Sequence, residues 1–138
     1  MRILLDSSVL IAAIARPGVC TELVEEVTRD HTLIFWQYIL DEVDRKLREK
    51  FGLSRAEASR LVSGIRRQGE IVEPIVIPDD ACRDPQDVPI LGTAVGGAAA
   101  LLVTVDKDLL SLGQFRGIPI IKPGGFWKCS ISPNQNDE

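Results

Sequence analysis

The apolar positions fall into two repeating patterns. Short unbroken runs, Ile3–Leu5, Leu33–Trp36, Leu101–Val105 and Ile118–Ile121, predict strands buried on both faces, because a half-buried strand would alternate. Between them lie segments with helical periodicity. Residues 7–15 (SSVLIAAIA) predict a helix with Ser7 or Ser8 as its cap, and RPG breaks it. Residues 20–30 put Leu23, Val24 and Val27 on one face, and 37–52 put Ile39, Leu40, Val43 and Leu47 at the i, i+3, i+4, i+7 positions of a buried stripe closed by Gly52. Ser54 and Glu57 form a capping-box pattern for a helix running to Gly69. EIVEPIVI (70–77) predicts an extended segment, 78–87 a loop, VPILGTAVGGA a helix with an early proline, and DKDLLSLG a short helix. Apolar strands alternating with helices imply an α/β domain of three layers, with a central parallel sheet flanked by helices.

In such a sheet, ligands bind at the carboxyl ends of the strands. Asp6 directly follows RILL, between two apolar runs, and Asp106 follows ALLVTV. A buried, unpaired carboxylate costs several kcal/mol, so Asp6 needs hydrogen bonds or a cation. Glu42 lies early in its helix, and Asp87 directly precedes the helix at Val88, where it can act as an N-cap. Each acid has a plainer reading: Asp87 a cap, Glu42 a solvated position, Asp106 and Asp108 caps of the short helix. Brought together, however, these carboxylates repel without a counter-charge, and hard divalent cations with oxygen ligands supply one. The acids therefore predict metal, and metal predicts phosphate chemistry.

The chain has 138 residues, 45% of them hydrophobic, which suits one domain with a substantial core. Every apolar run is interrupted well short of a membrane span, and the N-terminal stretch, which contains Asp6, does not fit a signal peptide. Cys20, Cys82 and Cys129 fit neither a disulfide framework nor a paired metal motif, pointing to a reducing cytoplasm. Net charge is −4, but unevenly spread. The stretch Arg45–Arg67 carries eight basic residues, with Asp44, Glu49 and Glu57 the acids in and beside it, whereas Asp79–Asp87 holds four aspartates and one arginine. The basic stretch is either a solvated helix face or a phosphate-tracking surface.

The segments RILLDSSVLIAAI, ILDEVDRKL, CRDPQDVPILGTAV and LLVTVDKDLLSLGQFRGIPIIKP, in this order and spacing, resemble PIN-domain proteins, in particular the small prokaryotic toxin components of VapC type. The resemblance covers about Met1 to Phe126. It implies a PIN domain over 1–128, followed by a polar tail, 129–138, expected to fray. It also implies a metal-dependent endoribonuclease of single-stranded or looped RNA, the toxin of a toxin–antitoxin pair, using Mg²⁺ or Mn²⁺. By position, the family's acids fall on Asp6, Glu42, Asp87 and Asp106, with Asp108 matching a less regular one. Ser7 keeps the hydroxyl beside the first acid. Asp6, Asp87, Asp106, Glu42 and Asp108 are then the expected metal ligands, RNA the substrate, a protein antitoxin the partner. Members of this type usually pair, and Ile11, Ile14, Leu23 and Val27 offer apolar surface for a homodimer.

The departures bear on the site. Pro89 shifts the start of its helix and so the aim of Asp87, and the small residues of VGGAAALLV suit either close backbone packing or a dimer surface. A haloacid-dehalogenase-type phosphatase would need a second aspartate where Ser8 stands. A receiver domain would need an early acidic pair that is absent. The competing reading is a catalytically silent RNA- or protein-binding module on the same fold. His31 is expected at the opposite end of the sheet from the acids, leaving metal to carry the base role.

Overall fold

The structure, a computed structural model, describes residues 1–128. The elements are β1 (Arg2–Leu5), α1 (Ser7–Ala15), α2 (Val19–Asp30), β2 (Thr32–Phe35), α3 (Gln37–Glu49), α4 (Arg55–Arg67), β3 (Gly69–Ile71), a 3-10 turn (Pro85–Asp87), α5 (Val88–Gly96), β4 (Leu101–Val103), α6 (Lys107–Leu110), β5 (Gln114–Phe115), β6 (Ile118–Ile121) and a second 3-10 turn (Pro123–Gly125). The expected tail, 129–138, lies outside the described residues.

Helices flank a six-stranded sheet of order β3-β2-β1-β4-β6-β5. Five strands are parallel; β5 alone runs antiparallel, against β6. The expected central parallel sheet is present, with one antiparallel strand added at its edge, where Arg116 and Gly117 both take positive φ (50° and 84°) and close a two-residue hairpin. Ile3, Leu4 and Leu5 are fully buried, as are Leu102 and Val103, which accounts for their unbroken apolar runs.

Two further expectations change. Asp6 caps α1, accepting from Ser8 N (3.1 Å) and Val9 N (3.3 Å), so neither Ser7 nor Ser8 is the cap. The extended segment after α4 stays in the sheet only as far as Ile71. Beyond it the chain crosses α5, whose Gly92 and Gly96 admit its backbone: a Cβ at Gly92 would stand 2.3 Å from Ile75 O, and one at Gly96 2.6 Å from Glu73 O. Small residues here serve close backbone packing. Leu23 and Val27 are also fully buried in the core, leaving only Ile11 and Ile14 of the four side chains assigned to a dimer surface partly exposed.

Candidate active site

Because β1, β2 and β4 are parallel, their carboxyl ends share one edge. There a cleft of about 280 Å³ opens, with Asp6, Ser7, Glu42, Asp84, Asp87 and Asp106 in its lining. Trp36 and Tyr38, their rings 5.1 Å apart, form an aromatic wall where β2 passes into α3. His31 sits at the other end of the sheet, its Nδ1 3.1 Å from the Met1 amine.

Asp6 is 4% exposed, and both its oxygens are engaged. Oδ1 accepts from the Ser8 hydroxyl and from the backbone N–H groups of Ser8 and Val9; Oδ2 accepts from the Thr104 hydroxyl. Burial pushes this carboxyl above the ordinary range against the pull of those hydrogen bonds. The buried Thr104 also accepts from Asp106 N (2.9 Å), so one hydroxyl links the two strand-end acids. Asp106 in turn caps α6, accepting from Asp108 N (2.8 Å) and Leu109 N (3.3 Å). Glu42, from the second turn of α3, accepts the Ser7 hydroxyl and lies 3.7 Å from Arg45.

Asp87 differs from its neighbours. Its backbone is helical, at the join of the 3-10 turn and α5, and its side chain makes no capping bond. Pro89, second in α5, has no N–H to offer, and Asp84 caps the preceding turn instead, accepting from Gln86 N (3.0 Å). The expectation that Asp87 caps its helix is thus corrected. The residue is 6% exposed, and Oδ2 is buried without a hydrogen-bond partner. Burial, the charges of Asp106, Asp84 and Asp6, and a hydrogen bond with Asp106 push its pKa up to about 7.

Asp108 does not line the cleft. It faces Asp84 and Asp87 from the flank, with one oxygen from each of the three within 4.8 Å of the others, and Arg83 3.9 Å away. An all-oxygen donor set that includes Asp87, with its orphaned buried carboxylate oxygen, fits a hard divalent cation. The residues that sequence reasoning missed here are Asp84, Thr104, Trp36 and Tyr38. Asp84 was visible only as one of four neighbouring aspartates, and Thr104 as the threonine two residues before Asp106.

Parallel strands ending in converging acids define an α/β domain with a carboxylate centre at the carboxyl edge of its sheet. The chain belongs to the PIN-domain family: the PIN domain model matches residues 2–108. PIN domains are generally nucleases. The chain is similar in fold to the crystal structure of VapBC2 from Rickettsia felis bound to a DNA fragment from their promoter. The TM-score is 0.61 at 13% identity, over 88% of this chain and 98% of that one. No curated protein matches the sequence. No single helix among the described residues is long and apolar enough to cross a membrane.

Proposed function

We propose that this protein is a Mg²⁺- or Mn²⁺-dependent endoribonuclease that cuts single-stranded or looped RNA, acting in the cytoplasm as the toxin of a toxin–antitoxin pair. The observation that carries the reading is Asp87: a buried carboxylate with an unpartnered oxygen, faced by Asp6, Asp84, Asp106 and Asp108, offers a cation a place that would relieve the crowded negative charge. Asp87 would hold the ion, with Asp6, Asp84 and Asp106 on the cleft side and Asp108 on the flank, and Glu42 would reach it through water. The bound ion supplies an activated water and offsets charge on the scissile phosphodiester. The chain's own residues do the positioning. Thr104 and Ser8 orient Asp6, Ser7 orients Glu42, and the caps on α1 and α6 fix Asp6 and Asp106 against rotation. Trp36 and Tyr38 offer the wall on which an unpaired base can stack.

The VapBC neighbour supports a protein antitoxin as partner, by analogy of fold. A homodimer belongs to the same proposal, supported by exposed Ile75 and Val76 on the segment that crosses α5. Light scattering should give about twice the chain mass of 15.2 kDa.

Calorimetric titration with Mn²⁺ tests the centre. Wild type should bind saturably, Asp6→Asn and Asp87→Asn should each weaken binding strongly, and Glu42→Gln more mildly. Cleavage of single-stranded RNA should require Mg²⁺ and vanish in Asp6→Asn. Metal binding without cleavage would favour the silent binding module, and undiminished binding by the Asp6→Asn, Asp87→Asn double variant would reject the ligand assignment.

A further inference from the structure

Tyr38, Glu42, Lys46 and Lys50 recur every four residues along α3 and its cap, a spacing that aligns them in one row. The first three line the acidic cleft. The last two line a second groove, of about 400 Å³, between α1 and the end of α3. Ser8 and Lys46 belong to both cavities, so the groove adjoins the cleft. Ile11, Ala12 and Ala15 contribute apolar surface to this groove, and Arg16, Lys50 and Phe51 complete its lining.

The cations of the basic stretch are not equivalent. Arg45 is held by Glu42 and Glu49, Arg48 by Asp44, and Arg66 donates to Gln37. Arg16, Lys46 and Lys50 have no ion-pair partner among the described residues, and all three face the groove. Phe51, 48% exposed just past the helix end, presents an aromatic face beside them. Unpaired cations next to an exposed ring are the two components of a single-strand track.

We propose that this groove carries single-stranded RNA onward from the carboxylates, with phosphates on Lys46, Lys50 and Arg16 and a base stacked on Phe51. The proposal rests on the ribonuclease reading and extends it. A strand cut in the cleft must continue past it, and a polyanion leaving a ring of acids is drawn to the nearest unneutralised cations. Eight residues of helix separate Glu42 from Lys50, about 12 Å, so the track reaches a few nucleotides beyond the cut. The groove's place beside the cleft, with Lys46 in both linings, favours nucleic acid over an acidic peptide, which the apolar lining would also accept.

The test uses uncleavable 2′-O-methyl RNAs of about 4 and about 12 nucleotides, within the ordinary footprint of single-strand binders. Binding is measured by fluorescence anisotropy with Mg²⁺ over a range of salt. Wild type should bind the longer RNA about tenfold tighter. Lys46→Ala/Lys50→Ala should abolish that gain and flatten the salt slope by about 1.4, from two lost phosphate contacts. Phe51→Ser should cost about tenfold on the longer RNA alone. Arg48→Ala should match wild type, and Mn²⁺ titration and thermal melting should show every variant folded. An unchanged slope in Lys46→Ala/Lys50→Ala overturns the track while leaving the ribonuclease intact. The same holds if Arg66→Ala/Arg67→Ala removes the gain instead, or if the groove variants lose only binding of the antitoxin protein. If wild type neither binds nor cuts any RNA with Mg²⁺, the ribonuclease reading fails, and the track with it.

Discussion

A carboxylate at a helix start ordinarily bonds the N–H of the second or third helical residue, and Pro89 withholds the first of those donors from Asp87. The consequence is a group whose proton, in the absence of metal, is held to about pH 7 in the folded state against about 3.9 in an unfolded chain. Between those values Asp87 binds more of a proton in the folded protein than in the unfolded one, so its contribution to stability falls as pH rises from about 4 to 7 and levels off above. Urea titrations in chelator should show that decline for wild type and a flatter profile for Asp87→Asn. Parallel profiles would contradict it. Added Mn²⁺ should raise the melting temperature more at pH 8 than at pH 5, because the ion displaces a proton only at the lower pH. Thr104 is the second critical residue: Thr104→Val keeps the shape but strands Asp6 Oδ2 and the Asp106 N–H. The expected loss is about 1–3 kcal/mol by chemical denaturation, with Thr104→Ser close to wild type.

The elements were legible where a single pattern governed them. The apolar runs of β1, β2, β4 and β6 and the Leu40–Val43–Leu47 stripe of α3 lie where periodicity places them, because burial on both faces or on one stripe dictates residue type directly. β5 is two residues long, and its Arg116–Gly117 turn lacks the Asn-Gly or Asp-Gly signature, so local sequence carried no signal for it. The extended segment EIVEPIVI pairs in the sheet only as far as Ile71 for a tertiary reason: α5 presents Gly92 and Gly96 to it, and the main chain leaves the sheet to lie against them. That Asp6, Asp87 and Asp106 would meet at one edge of the sheet was legible because strand ends and helix starts are readable in sequence. Their division of labour was not, since it depends on which N–H groups and hydroxyls are within reach of each oxygen. Gly92→Ala tests the packing claim. Its Cβ would meet a backbone carbonyl at 2.3 Å, which no rotamer change relieves, so urea denaturation should register a loss of about 1–3 kcal/mol, whereas Gly64→Ala, with open space around it on α4, should be neutral or slightly stabilising.

At the scale of the whole molecule, the chain carries a net charge of −4, with five carboxylates gathered around one cleft. Such a surface repels a polyanion at low ionic strength unless its centre is neutralised. Divalent metal should therefore do two separable things: support cleavage, and raise RNA affinity before any bond is cut. Binding of an uncleavable single-stranded RNA should strengthen on adding Mg²⁺ at constant ionic strength, and Asp87→Asn, which removes a carboxylate and a proposed metal ligand together, should bind RNA in chelator more tightly than wild type while gaining less from Mg²⁺. Added monovalent salt should weaken every one of these complexes, since the attraction rests on phosphate contacts. The cleft is walled by Tyr38 on one side and the start of α5 on the other, which suits a single strand whose bases are free to stack and not a closed helix. Matched single- and double-stranded RNAs incubated with Mg²⁺ should thus differ sharply, the single strand being cut first. Preferential cutting of the duplex, or RNA affinity indifferent to Mg²⁺ in the wild type, would place the substrate on some other face of the molecule.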